Sequence, residues 1–376
     1  MKPHRTITSC MENNIQEVII VSPSLDPAVN VSGVSSVVSF IVSNNKKVRY
    51  IHFQQGKTDK ERGGKFYRLK RVIDSFIEWT HILKKNGNAI IHYNLSMDKK
   101  SILRDVPFLW YAFKKKKKIV AHIHGGKYLF ITERPWIIRL FLRKLFSINA
   151  SFVVLSDKEK TLIESELKDA TVYVLPNVID LSDASTFNRN NNEDFLNILF
   201  LGRVVKEKGI EDIILACKIL KKQGINYMLH IAGKETQSGK YLPKIPKIKS
   251  ELDDSHYKYE GVVSGKSKSD LLKQCNVFLL PSYYEGLPMS LLESMSYGEV
   301  PIITDVGSVS KVVTDGYNGI FVNVNDSDSI VDAVTRLAKD KDLLCSLSAN
   351  AKKTIFDRFN PKQYIDQLNM IYSSTV

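Results

Sequence analysis

No stretch of this chain approaches the roughly 20 consecutive apolar residues that cross a bilayer. The polar start MKPHRTITSCMENN also lacks the apolar core of a signal peptide. Neither a spanning helix nor a cleaved leader is therefore expected. Cysteine is scarce: Cys10, Cys217, Cys275 and Cys345 lie far apart, without metal-type spacing. That excludes a zinc ribbon and a disulfide scaffold, and it fits free thiols in a reducing cytosol. There is no internal repeat and no low-complexity tract beyond one lysine run, which excludes repeat architectures. Acidic residues are also in deficit, 40 against 54 Lys and Arg, for a net charge of +14.

An excess of that size favours an anionic partner: a phosphorylated substrate, an anionic lipid surface or nucleic acid. The charge is uneven. Lys114 to Lys118 form a run of five directly after VPFLWYAF (Val106 to Phe113), and RPWIIRLFLRKLF spans Arg134 to Phe146. Aromatic and aliphatic residues beside lysines suit a protein resting on anionic headgroups. The plainer reading is two core-facing helices with solvated lysine ends.

The length, 376 residues, suggests two domains, and 43% hydrophobic content is enough for full cores. Short β-branched runs alternate with helical patterns throughout. In the first half these are EVIIVS, VRYIHF, AIIHY, KIVAHIH, SFVVLS and TVYVLP; in the second, LNILFLG, YMLHIAG, NVFLLP, VPIIT and GIFVNV. Such alternation means βαβ units and parallel sheets, and near-continuous apolar runs fit strands covered on both faces. The Asn-, Asp- and Ser-rich stretch DLSDASTFNRNNNED (Asp180 to Asp194) has no apolar period and reads as a linker. The expectation is an α/β chain of two doubly wound, Rossmann-like domains facing across a cleft. Ligands would sit at the carboxyl ends of the strands.

Two stretches there carry chemistry. In LFLGRVVKEKGIEDII a strand ends at Gly202, and Arg203 and Lys208 precede Gly209 and an amphipathic helix. Arginine forks onto two phosphate oxygens and lysine adds a point charge. Cations at a helix start oppose the macrodipole, so they ask for an anion nearby; a merely basic, solvated helix start is the alternative. In YEGLPMSLLE, which follows NVFLLPS, Gly286 allows a tight turn and Pro288 suits a first helical turn. The free N–H groups near Met289 and Ser290 then form an anion site. Glu285 in the loop can accept two sugar hydroxyls and Glu293 two ribose hydroxyls; otherwise both are charges favoured by the helix dipole. Three other features are weaker. His122 is two residues from His124 and should point to the same side. His92 is either an acceptor-site group or structural. Asp326 and Asp328 form a literal D-x-D, explained by N-capping of the helix that follows.

The second half resembles a family-4 glycosyltransferase of GT-B fold (glycosyl transferases group 1). The resemblance rests on PNVID, FLGRVVKEKG, IAGKE, YEGVV, VFLLPSYYEGLPMSLLESMSYGEVPIITDVG and DGYNGIFV. More loosely, SPSLDPAVNVSGVSSVV (Ser22 to Val38) resembles the family's glycine loop and VAHIHGG (Val120 to Gly126) its histidine motif. The resemblance implies a donor diphosphate held by Arg203 and Lys208, with the stretch Leu287, Pro288, Met289 and Ser290 helping and the loop around Gly33 closing from the other domain. It implies that Glu285 contacts the donor sugar, Glu293 the ribose and Val262 the base, and that His124 lies at the reacting sugar.

It also implies an acceptor-binding domain over residues 1–180, a linker over 181–194, a nucleotide-sugar-binding domain over 195–358 and a helix, 359–376, crossing back. Two departures stand out: Ser32 and Gly33 where the family often has two glycines, and Lys311 where it often has a glutamate. The implied function is retaining transfer of a hexose from a UDP- or GDP-sugar to a lipid-linked saccharide, in capsule or O-antigen (lipopolysaccharide) assembly. The enzyme would be peripheral on the cytosolic face of the cell membrane, with no metal or other cofactor and no nucleic-acid partner. A nucleotide-sugar epimerase, a phosphorylase and a catalytically inactive basic adaptor are the rivals. A phosphorylase would need a cofactor lysine site that is not found here, and the intact set of His124, Arg203, Lys208, Glu285 and Glu293 argues against an adaptor.

Overall fold

Alternating burial along the first strand shows how this chain builds its core. Val18 and Ile20 pack into one apolar cluster while Ile19 and Val21 pack into another, and all four are fully buried. A strand covered on both faces reads as an unbroken apolar run. The structure is a computed structural model. It describes residues 16–26, 30, 32–56, 64–125, 127–131, 133–167, 170–191, 195–235, 248, 252 and 255–375. Several motif residues lie outside these: the polar start, residues 27–29 and 31 of the glycine loop, Gly126 of the histidine motif, and residues 192–194.

Two six-stranded sheets result. The first holds β1 (Gln16–Ser22), β2 (Val48–Gln54), β3 (Ile90–Leu95), β4 (Ile119–Ile123), β5 (Ser151–Val154) and β6 (Thr171–Val174), in the order β2-β1-β3-β4-β5-β6. The second holds β7 (Leu196–Leu201), β8 (Tyr227–Ala232), β9 (Tyr257–Gly261), β10 (Val277–Leu280), β11 (Val300–Thr304) and β12 (Ile320–Val322), in the order β12-β11-β10-β7-β8-β9. All pairings are parallel. The expected pair of doubly wound, Rossmann-like α/β domains is what forms. The strand order reverses between β1 and β3 in the first sheet and between β7 and β10 in the second. Crevices open at such switch points.

The apolar runs mark every strand but β9. Its sequence YKYEG exposes Lys258 and Tyr259. With one neighbour and two solvent-facing residues in sequence, this edge strand carries no continuous apolar run.

The polar stretch after Asp180 is more than a connector. Ser182–Thr186 form a short helix whose Ala184 is buried with Leu271, Leu272 and Cys275 of the second domain. Asp183 accepts hydrogen bonds from Lys273 at 2.7 Å, from Tyr297 Oη at 2.8 Å and from Ser269 Oγ, which together hold its carboxyl down at about 2. The Arg189 guanidinium donates to the carbonyls of Tyr297, Leu272 and Lys273. Docking through side-chain polar contacts leaves no hydrophobic period to read.

At the other end, the helix Pro361–Ser374 packs on the first sheet. Tyr364, Leu368, Ile371 and Tyr372 join Val18, Ile20 and Val120. Burying Leu368 and Ile371 contributes about 1.5–3 kcal/mol each.

Candidate active site

The crevice at the β7/β10 switch point is framed by loops tied to one another through backbone. Tyr283 N donates to Glu207 O at 2.9 Å, Ser308 N to Gly286 O at 2.9 Å and Val204 N to Lys234 O at 3.0 Å. Glycines allow the approach. Gly209 has φ +73°, and a Cβ there would meet Pro281 O at 2.2 Å. From Gly209 starts the helix Ile210–Lys222, whose Ile210, Ile213, Ile214 and Cys217 face the core. Gly307 has φ +64°, with Glu285 O 2.1 Å from a built Cβ. Gly307 is the last residue of the longest stretch that carries the family resemblance, but its sequence does not show that it seats the Glu285 loop. Gly286 does not act as expected. Its φ is not in the left-handed region, and a Cβ there meets nothing within 4 Å, so the turn does not need it. What it leaves is open space beside the helix start.

Lys208 and Glu285 come together as an ion pair, with Glu285 only 8% exposed. Ser282 Oγ donates to the same oxygen, Oε1, at 2.8 Å. Both contacts fall on Oε1, and among the described residues none falls on Oε2. Arg203 stands two residues past β7, exposed, and among the described residues its guanidinium has no carboxylate partner. Pro288 sits at the N-cap of the helix Met289–Ser296 rather than in its first turn, and no side chain caps the helix. Pro288 carries no N–H, so the donors at this end are the amides of Leu287, Met289, Ser290 and their successors.

Glu293, one turn further on, pairs with Lys268 at 2.7 Å. Lys268 lies on the helix Gly265–Gln274, which begins three residues after half-exposed Val262. Val262 and Glu293 therefore border one region. Lys311 is exposed in the short turn after Ser308. Asp326 caps the helix Ser327–Lys339 by accepting from Asp328 N and Ser329 N, as expected.

The first domain meets this rim directly. Gly33 opens the helix Gly33–Asn44, and a Cβ on it would lie 3.1 Å from Met289 Cγ. Met289 packs against the apolar cores of both domains. Asn177 Nδ2 donates to Leu287 O at 3.4 Å. Burial holds His124 down at about 4. The structure thus links Asn177 to Leu287 and Gly33 to Met289 across the domain boundary.

Asn94 completes the histidine's setting, and it does not stand out in the sequence. Asn94 Nδ2 donates to Val21 O at 2.9 Å, so its Oδ1, 2.7 Å from His124 Nε2, accepts that ring's proton. His124 is a neutral imidazole of fixed tautomer. His122 does point to the same side, its ring centroid 4.1 Å from that of His124. His92 lies inside β3, fully buried and bonded to Tyr372 and His122. It is therefore structural and out of reach of an acceptor.

The lysine run divides. Lys114, Lys115, Lys116 and Lys118 are exposed, while Lys117 donates to Asn86 O and Gly87 O. Most of VPFLWYAF is core. Among the described residues an exposed apolar stripe lies on the helix Lys65–Lys85, which no motif marks: Phe66 is 90% exposed, Leu69 60%, Ile73 52% and Ile77 51%. Trp136 and Leu140 of the helix Trp136–Phe146 add to the exposed apolar surface. No described helix is long and apolar enough to cross a membrane.

Comparison with known proteins agrees with this geometry. Residues 182–354 match the family model of glycosyl transferases group 1. The chain is 28% identical over 347 residues to the Staphylococcus aureus capsular polysaccharide biosynthesis glycosyltransferase CapM, covering 78% of this chain and 87% of that one. It is 32% identical over 107 residues, 28% of this chain and 27% of the relative, to an Escherichia coli UDP-Gal:alpha-D-GlcNAc-diphosphoundecaprenol alpha-1,3-galactosyltransferase. Its fold superposes on Anabaena HepE in complex with UDP-glucose with a TM-score of 0.71, at 14% identity, over 95% of this chain and 99% of that one. The two-domain architecture is GT-B.

Proposed function

We propose, from the premise that this chain carries a glycosyl transferases group 1 domain and is a glycosyltransferase, that it is a retaining enzyme of the family-4 kind. It moves a hexose from a UDP- or GDP-sugar to a lipid-linked saccharide at the cytosolic face of a membrane, in the assembly of a surface polysaccharide such as capsule or O-antigen. One observation carries this reading: the Lys208–Glu285 pair, Arg203 without a carboxylate partner among the described residues and an uncapped helix start share the β7/β10 switch point.

When the bond between the anomeric carbon and the β-phosphate oxygen breaks, the leaving nucleoside diphosphate gains negative charge. Arg203, Lys208 and the amides of Leu287, Met289 and Ser290 stabilise that charge, and no metal is needed. The acceptor oxygen bonds to the same carbon on the face the phosphate leaves, and its proton passes to the departing phosphate. Glu285 Oε2 holds sugar hydroxyls, Glu293 the ribose, and backbone near Val262 the base. Gly33 closes the diphosphate site from the first domain. His124, neutral and pinned by Asn94, contacts the sugar without setting a positive charge beside a carbon that becomes electron-poor. The exposed stripe Phe66, Leu69, Ile73 and Ile77, with Lys114 to Lys116 and Lys118, rests on anionic lipid and brings the acceptor to the cleft.

Arg203→Ala tests the reading. Transfer should fall by about two to three orders of magnitude, while binding to anionic liposomes is unchanged. Unaltered transfer would overturn the diphosphate site. A thermal-shift panel of UDP-glucose, UDP-galactose and GDP-mannose identifies the donor by the largest rise in melting temperature.

A further inference from the structure

Behind His124 a line of buried polar groups runs through the first domain to the last helix of the chain. Asn45 is oriented by Lys47 N, which donates to its Oδ1, so Asn45 Nδ2 donates to Tyr50 Oη at 2.9 Å. Tyr50 then spends its one proton on Tyr372 Oη at 3.3 Å. Tyr372 in turn gives its proton to His92 Nδ1 at 2.6 Å. A neutral imidazole that accepts at Nδ1 carries its proton on Nε2, and His92 Nε2 lies 3.1 Å from His122 Nδ1. The same logic puts the His122 proton on Nε2, an atom with no partner among the described residues. Burial keeps both imidazoles neutral, His92 at about 3 and His122 far below the ordinary range. Each link has one direction, and the three rings stack: His92 on His122 at 5.3 Å and 20°, His122 on His124 at 4.1 Å and 28°.

Tyr372 belongs to the helix Pro361–Ser374, which follows the second domain's helix Lys341–Arg358 and packs on the first. We propose that Tyr372 is a positioning residue for transfer. Through the one-way chain to His92 and His122 it fixes the ring against which His124 stacks, so that the placement of His124 depends on the seating of the C-terminal helix. A buried donor left unspent at His122 is costly, and a chain that holds it in place has a use beyond packing. The inference rests on His124 lying at the reacting sugar, but its central claim, the direction of the chain, does not.

The test begins with the intact chain labelled with 15N-histidine. The ring-nitrogen shifts of His92 and His122 should show protonated Nε2 and bare Nδ1 in both, with no sugar nucleotide present. In Tyr372→Phe the His92 signal should become a mixture of tautomers. With the best donor of the thermal-shift panel, kcat should then fall about tenfold while KM stays within about twofold. Tyr173→Phe is the control, because it removes the other phenol contact to this helix, Tyr173 Oη to Ser374 Oγ at 2.9 Å, without touching the histidines; both readouts should stay at wild-type values. If Tyr372→Phe does not fold, Tyr50→Phe, one link further back, should show the same tautomer mixing with a smaller drop in kcat. A proton on His92 Nδ1 in the wild type, or equal losses of kcat in Tyr372→Phe and Tyr173→Phe, would overturn the proposal.

Discussion

The two domains share one architecture and use opposite chemistry. In the second, the strand ends carry charge: Glu285 meets Lys208, Glu293 meets Lys268, and Arg203 stands open. The first domain instead carries three stacked neutral imidazoles, His92 inside β3, His122 inside β4 and His124 just past it, and its exposed apolar stripe lies on a flanking helix. A parallel sheet decides where a site can be, because its switch point opens a crevice. The side chains placed there decide what the site binds. Ionic groups suit a diphosphate, and a desolvated neutral wall suits a sugar and a lipid.

The largest test of that contrast is acid. His92 and His124 are held by burial at about 3 and about 4, and His122 is also far down. Unfolded, each titrates near 6.5. Between those values the unfolded chain binds more protons, so the stabilisation is complete above about pH 6.5 and is lost as pH falls toward 4. Each group removes about 1.4 kcal/mol per pH unit in that window. All three tryptophans, Trp79, Trp110 and Trp136, lie in the first domain. Denaturant curves read by tryptophan fluorescence should therefore weaken steeply below pH 6.5. A flat profile from pH 7 to 5 would erase the distinction between the domains.

Next come two glycines three-dimensionally adjacent but physically unlike. Gly307→Ala forces a Cβ onto Glu285 O at a left-handed φ and should cost about 1–3 kcal/mol, seen as a lower melting temperature along with lost transfer. Gly286→Ala meets open space and should leave the melting temperature unchanged while weakening donor binding. If both behaved alike, the loop would be only scaffold. The smallest effect on stability, within about 0.5 kcal/mol, is expected for Ile73→Asp on the exposed stripe. Co-sedimentation with anionic vesicles should drop sharply, with donor binding intact.

The strands were legible because a run buried on both faces, such as Val18 to Val21 or Val277 to Leu280, has nothing polar to interrupt it. The charged half of the candidate site was legible too, since a glycine, two cations and Glu285 fall within short loops after such runs and Glu293 on the helix that follows. Other features depend on contacts that local pattern does not show. Gly307 touches Glu285 from 22 residues away in sequence. The Ser182–Thr186 helix docks by polar contacts. The stripe on Lys65–Lys85 has the same periodicity whether it faces core or water, and only the neighbouring helices decide which.

By itself the sequence determined two parallel α/β domains and set a basic loop after β7 and a Glu-Gly loop after β10, because backbone periodicity and glycine placement act over a few residues. Tertiary structure alone decided that Lys208 answers Glu285, that Asn94 sets the His124 tautomer, and that Tyr372, 280 positions beyond His92, reaches it with a hydroxyl. Such contacts join distant segments, and their direction and energy depend on burial that exists only once both sheets are packed.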